Sequence, residues 1–321
     1  MSSRFEEVDL GSLRRVSIEE RGGLVRVDSF VDPFDPGDAI DRLLKTVPRL
    51  FSGDDFASAV ESVASSARGG RRVLMMLGAH FIKCGLSRLL IDLMERRVVT
   101  AVAMNGAGAI HDFEIAVWGR TSEDVGERLV DGTFGMCSDT ADAMNAATLD
   151  GHHKEEGLGE TLGRHIVERD AENLDASILG SAYRLRVPVT VHVALGTDII
   201  HQHASADGAA IGATSLRDFR ILASVVSGLD GGAVVNVGSA VVLPEVFLKA
   251  LSIARNRGHA MDEMTAVSMD MNEPYRAMVN VVKRPTAQSG TGFALRGRHE
   301  MLFPLFWAAL RRATDGRIAG G

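Results

Sequence analysis

The sequence predicts an α/β fold in three layers, a Rossmann-like parallel sheet with helices on both faces. Three observations carry that expectation. Apolar, β-branched runs of strand length recur along the chain, amphipathic stretches of helix length lie between them, and glycines follow several runs at their carboxyl ends. A strand that is apolar throughout is covered on both sides, and parallel neighbours need crossovers of the kind helices supply.

Residues 1–37 read as a polar N-terminal extension, ending in Asp32-Pro33-Phe34-Asp35-Pro36-Gly37, and residues 38–321 as one domain. Prolines and aspartates in that segment suit an extended arm entering a helix at Asp38. Helical periodicity covers 39–50 and 54–67. Val73 to Leu77 is the first apolar run, followed by Gly78-Ala79-His80 and a stripe of Ile82, Leu86, Leu89, Leu90, Leu93 and Met94 at helical spacing. A second run over 98–104 closes on Asn105-Gly106-Ala107-Gly108-Ala109. Further helices are expected over 122–129, 162–169 and 171–183, with 149–157 as an exposed loop. Strands resume over 187–195, 233–237, 264–269 and 276–282, with helices over 216–227, 244–257 and 301–314.

Composition narrows the function classes. The chain has 321 residues, 45% hydrophobic and 24% charged, which excludes disorder and repeats of the collagen kind. With 35 Lys+Arg against 42 Asp+Glu the formal net charge is −7. No basic field exists to hold a phosphate backbone, so nucleic acid is not an expected partner. Cys84 and Cys137 are too few for a disulfide framework, and the start Met1-Ser2-Ser3-Arg4-Phe5-Glu6-Glu7 has no apolar core region, so a cytoplasmic location is expected. The most apolar stretch, 233–251, is interrupted by Asn236, Pro244, Glu245 and Lys249 and does not read as a membrane span.

Chemistry is expected where the strands end. In an open parallel sheet, ligands lie outside the strand carboxyl ends, where glycines admit backbone amides and helix N-termini favour anions. Four turns belong to that rim: Gly78-Ala79-His80, Asn105-Gly106-Ala107-Gly108, Gly196-Thr197-Asp198 and Gly238-Ser239-Ala240. The same turns bring His80, His111, Asp112, Asp198, His201 and His203. Histidine is the common proton carrier near neutral pH, and aspartate anchors a cationic amine. Asp198, His201 and His203 also have the donor types of a three-ligand zinc site, which leaves metal-assisted hydrolysis open as an alternative. A ligand-binding protein without catalysis is a third. No Gly-x-Ser-x-Gly elbow, Walker A loop or Cys-x-x-Cys pair occurs.

The order of five segments is familiar. Leu77-Gly78-Ala79-His80-Phe81-Ile82-Lys83-Cys84-Gly85, Asn105-Gly106-Ala107-Gly108-Ala109-Ile110-His111-Asp112, the stretch from Leu195 to His203, Val237-Gly238-Ser239-Ala240-Val241-Val242 and Leu302-Phe303-Pro304-Leu305 together resemble the deoxyhypusine synthase family over about residues 38–314. The resemblance implies a homotetramer with active sites at dimer interfaces and bound NAD. It also implies a reaction in which spermidine is oxidised and its aminobutyl group passes through an enzyme lysine to an acceptor lysine of a protein. By the same resemblance Gly78, Ala79, His80, Gly106, Ala107, Gly108, Gly238 and Ser239 line the cofactor, and Asp198 holds the polyamine.

This chain departs from the family at three places. The family's Ser-Trp-Gly-Lys loop is replaced by a stretch beginning Lys283-Arg284-Pro285, with no matching transfer lysine. The family's catalytic histidine is matched by Leu243-Pro244-Glu245, and its cofactor-binding aspartate by Arg298. A guanidinium there suits a 2′-phosphate, which brings NADP beside NAD. The expected function is therefore that of a divergent member, binding a nicotinamide dinucleotide and a cationic amine such as spermidine, with Asp198 as anchor and His111 or His201 moving a proton.

Overall fold

The computed structural model describes residues 10–48, 50 and 52–315. The Met1 to Glu7 start lies outside them. Six strands, β1 (Val73–Leu77), β2 (Ala101–Asn105), β3 (Val189–His192), β4 (Ala233–Val237), β5 (Thr265–Asp270) and β6 (Thr291–Arg296), form one sheet in the order β3-β2-β1-β4-β5-β6. All five neighbour pairs are parallel, so every strand ends on the same edge. The chain works outward from β1 to β3, returns to β4 beside β1, and works outward again to β6. That return makes a topological switch point between the ends of β1 and β4.

Side-chain alternation explains why β1 is apolar without interruption. Val73, Met75 and Leu77 enter one core, while Leu74 and Met76 enter the other. The first core is shared with helices α1 (Ser52–Arg68), α2 (Ser87–Glu95), α3 (Gly106–Trp118) and α7 (His299–Thr314), and the second with α5 (Gly208–Val226) and α6 (Val242–Asn256). Between β2 and β3 the chain also forms α4 (Ser138–His153) and the helices Leu158–Glu168 and Ile178–Leu185. The three-layer expectation therefore holds. Among the described residues, no helix is long and apolar enough to cross a membrane.

Several local expectations are corrected. Residues 276–282 were expected as a strand but are helical, as Tyr275–Ala277 and then a π-helical Met278–Lys283, whose Val281 packs into the second core. The sixth strand is Thr291–Arg296, in the stretch that stands in place of the family's Ser-Trp-Gly-Lys loop. Its thin apolar pattern and exposed first residues fit an edge strand, where period-2 burial is weakly imposed. The stripe after β1 is two helices, His80–Lys83 and α2, because Gly85 at φ 71° breaks the first. Residues 149–153 extend α4 instead of forming a loop.

The N-terminal arm packs against the domain. Val16 bridges to Cys137, and Val25–Arg26 pairs antiparallel with Arg120–Thr121.

A buried aspartate fixes where β3 runs. Asp218 of α5 has no exposed surface and accepts backbone hydrogen bonds from Val191 at 2.7 Å and Gly159 at 2.9 Å. Burial pushes its carboxyl up to about 7, against those two hydrogen bonds. The folded state then holds this proton more tightly than the unfolded chain. Asp218 thus favours folding below about pH 4, and this contribution is lost as pH rises to about 7. Asp218→Asn does not titrate, so its stability relative to the wild type should rise across that window, by on the order of a few kcal/mol in urea denaturation. A difference that stays flat with pH would contradict the assignment.

Candidate functional site

The carboxyl edge of the sheet carries two groups of residues. Between the ends of β2 and β3 a cavity of about 230 Å³ is lined by Arg21, Lys83, Ala107, His111, Glu123 and Asp198, among others. Three larger cavities lie elsewhere: one among α1, α7 and the arm-proximal helix Gly37–Thr46, one at Pro188 and Val189 on the amino side of β3, and one beside Arg72, Thr100 and Ser224.

His111 reaches the cavity from the second turn of α3. Asn105 caps that helix, its side chain accepting from the Gly108 amide at 3.0 Å. The His111 Nδ1 lies 2.7 Å from the Thr121 hydroxyl, which donates to Glu114 Oε2 at 2.5 Å. Because the hydroxyl proton is committed to the carboxylate, Nδ1 carries the ring proton and Nε2 keeps its lone pair. Glu114 also accepts from Thr140 and from Arg21, each at 2.7 Å. Thr121 is held by the arm, since it pairs with Val25. Burial pushes His111 down to about 4, helped by the charges of Lys83 and Arg21 and opposed by Glu114. The imidazole is therefore neutral at pH 7.

Asp198 stands on the opposite wall, 8% exposed, at the start of the turn Ile199–Gln202. Its carboxylate lies over Gly106, where a Cβ would come within 1.9 Å of Oδ2. The absence of a Cβ at Gly106 thus leaves room for the aspartate. Burial pushes Asp198 up to about 6. Among the described residues the one basic side chain within 4.0 Å of it is His201, with Nε2 at 4.0 Å, and burial lowers the pKa of that imidazole. Glu123 is a second carboxylate of the cavity: Oε1 accepts from the Gly135 amide at 3.1 Å, Oε2 is buried without a hydrogen-bond partner, and burial raises its pKa, opposed by the Gly135 hydrogen bond and the charges of Arg21 and Arg128.

The remaining predicted residues divide. His201 is a capping residue, its Nδ1 accepting from the Gly196 and Asp198 amides at 3.2 and 3.3 Å. His203 is buried and donates through Nε2 to the Gly135 carbonyl at 2.8 Å. Asp198, His201 and His203 do not bring one ligand atom each close together, which corrects the zinc alternative, although His201 Nε2 and His203 Nδ1 have no hydrogen-bond partner. Asp112 turns away from the rim and accepts from Ser177, Ile178 and Leu179 at 2.7–3.0 Å, with burial raising its carboxyl to about 6.

Gly78, Gly238 and Ser239 gather at the switch point, apart from the cavity. A Cβ on Gly78 would lie 2.2 Å from the Gly238 carbonyl oxygen, so the two turns touch backbone to backbone. Asn236, fully buried in β4, donates to the Ser239 carbonyl at 3.1 Å and to Ser268 at 3.3 Å, fixing the turn. Over Gly238 lies the ring of His299, 5.8 Å centroid to centroid from His80. His299 is 3% exposed and neither ring nitrogen has a hydrogen-bond partner. Burial lowers its pKa, opposed by Asp270 and the nearby Met269 carbonyl. Arg298, the residue before it, is exposed and faces Glu300 at 4.0 Å.

Arg21, Lys83, Glu114, Thr121, Glu123 and His299 were absent from the sequence-based site. Glu114 could have been found, since it lies three residues after His111 on the same helix. Arg21 and Glu123 had no such signal, because pairings across about 100 residues leave no local pattern.

The chain matches no protein-family model and no curated protein. Solved structures with some likeness include a conserved candidate LOR/SDH protein from Methanococcus maripaludis S2 (14% identity, TM-score 0.49, covering 90% of this chain and 73% of that one). A candidate deoxyhypusine synthase from Entamoeba histolytica is similar at 11% identity and TM-score 0.49, over 86% and 94% of the two chains. AgrE, in a ternary complex with ornithine and NAD+, is similar at 15% identity and TM-score 0.47, over 82% of this chain. The present chain spans about a third of AgrE, 33% of its length. At these values the likenesses assign no activity, and the parallel sheet itself is what places the chain among doubly wound α/β proteins.

Proposed function

We propose that the His111–Asp198 cavity binds a small cationic amine, and that the chain acts on it with a nicotinamide dinucleotide at the neighbouring switch point. One observation carries this reading: two buried carboxylates face one cavity, Asp198 with no Lys or Arg paired to it among the described residues, and Glu123 with Oε2 lacking a hydrogen-bond donor although the charges of Arg21 and Arg128 favour its ionised form. Buried charge is tolerated when it is paired, and an ammonium is the partner that would pair it. Two such carboxylates favour a diamine or polyamine such as spermidine over a monoamine.

Volume separates the two ligands. A cavity of about 230 Å³ lies below the roughly 300–1,000 Å³ of sites for drug-sized molecules, so it takes the amine and excludes a dinucleotide. The fit for a dinucleotide is at the switch point, where Gly78, Ala79, Gly238 and Ser239 present backbone and where the unpartnered nitrogens of buried His299 await a hydrogen-bonding group. The α3 N-terminus does not fit a pyrophosphate, because Asp198 already stands there. Arg298 at the rim would receive a 2′-phosphate, so NADP belongs to the proposal beside NAD.

When bound, the dinucleotide supplies a hydride acceptor. Asp198 and Glu123 orient the amine. Neutral His111 accepts, through Nε2, the proton that an ammonium sheds before oxidation, and the Thr121–Glu114 chain holds the tautomer that leaves Nε2 free. Transfer to an acceptor lysine is not part of the proposal. The homotetramer and the cytoplasmic location implied earlier remain parts of it. Calorimetric titration of the full chain with spermidine, putrescine and an uncharged diol of equal length tests the amine, and thermal shifts with NAD and NADP test the dinucleotide. Spermidine binding that the diol does not reproduce is expected. No response to any amine would remove the reading.

A further inference from the structure

The switch point carries a second group of donors that the amine reading does not use. His80 and Cys84 lie four residues apart, across the helix His80–Lys83 and its C-cap, and so present side chains on one face. Glu300, in the first turn of α7, closes the group, with the Cys84 thiol donating to Oε2 at 3.7 Å. One ligand atom from each of His80, Cys84 and Glu300 lies within 4.8 Å of the other two. Among the described residues no other trio of His, Cys, Asp or Glu does so.

We infer that His80, Cys84 and Glu300 form a binding site for a zinc-like divalent cation, with a fourth position open to solvent. The donor set argues for the class. One imidazole nitrogen, one thiolate and one carboxylate suit zinc or cobalt, whereas magnesium and calcium take oxygen. Three protein ligands with a free position is the arrangement of reactive rather than structural zinc sites.

His299 borders the group. It is 3% exposed, and its ring lies 5.8 Å from that of His80 and sits over Gly238 near the Met269 carbonyl. Cys84 must lose its proton to bind, which the ion accomplishes by displacing it to solvent. Cys137 is buried elsewhere, beside Thr140, and takes no part.

The inference does not rest on the amine reading. Chelator-treated full-length protein titrated with Co²⁺ is expected to develop a thiolate-to-cobalt charge-transfer band at one ion per chain. Cys84→Ser abolishes the band, and Glu300→Gln and His80→Ala weaken binding by about 10–100-fold or more. Glu300 and His80 are exposed, so their variants should retain the fold, which far-ultraviolet circular dichroism verifies. Zinc should also slow alkylation of Cys84 in the wild type and not in Glu300→Gln. Absence of the band, its persistence in Cys84→Ser, or equal affinity in Glu300→Gln and His80→Ala would each overturn the site. A cobalt band without any amine or dinucleotide response would leave this site standing and remove only the earlier reading.

Discussion

Arg21→Ala is expected to lower the unfolding free energy by about 3–5 kcal/mol, read in a urea titration. The guanidinium meets Glu114 at 2.7 Å with both side chains 1% exposed, so truncation strands a carboxylate inside the protein. The Thr121 and Thr140 hydroxyls still donate to it, but they supply no charge. Replacing both partners, as Arg21→Met with Glu114→Leu, leaves no stranded ion and should recover most of the stability. Cavity chemistry should not recover with it, because Thr121 loses its acceptor and His111 its fixed tautomer. A loss below about 1 kcal/mol in Arg21→Ala would put the pair in the class of surface ion pairs, and the arm would then contribute little to the site.

In Asp198→Asn, affinity for a cationic amine should fall at least about 30-fold, the equivalent of about 2 kcal/mol for removing one member of a buried charge pair. Stability should move the other way. Burial holds the Asp198 carboxyl at about 6, above its usual 3.8, so the ionised group favours the unfolded chain. The stabilising influence of its proton is full below about pH 4 and is lost as pH rises through about 6. At pH 7.5 the asparagine variant should therefore be at least as stable as the wild type while binding worse. A side chain that weakens the fold and strengthens binding is positioned for a ligand. Gly106→Ala gives a second route, since its Cβ would come within 1.9 Å of Oδ2 and displace the carboxylate without changing its charge. Amine affinity within twofold of the wild type in both variants would show that Asp198 does not hold the ligand.

The strands that face two cores were legible because their chemistry is local. Val73–Leu77 is apolar at every position, and β1, β2, β4 and β5 appear within a few residues of where the sequence places them. The exception is instructive: 276–282 has the β-branched composition of a strand, yet it turns helical and leaves the edge to Thr291–Arg296, because composition cannot say which of two neighbouring segments the sheet accepts.

The site divides along the same line. Glycines after strands, and His111 and Asp198 beside them, could be read as rim residues because strand ends and helix starts are local features. Which of them share a cavity could not. His80 and Gly238 were expected to meet His111 and Asp198, but they gather around His299 instead, and His201 and His203 are taken up by the backbone of their own turn. By itself the sequence determined a parallel sheet in three layers with its polar turns on one edge, since hydrophobic period and turn chemistry act over a few residues. Only the tertiary structure decided that Arg21 reaches Glu114 across 93 positions, that Asp198 has no Lys or Arg paired to it among the described residues, and that Cys84 faces Glu300, since burial and charge balance depend on which distant segments pack together.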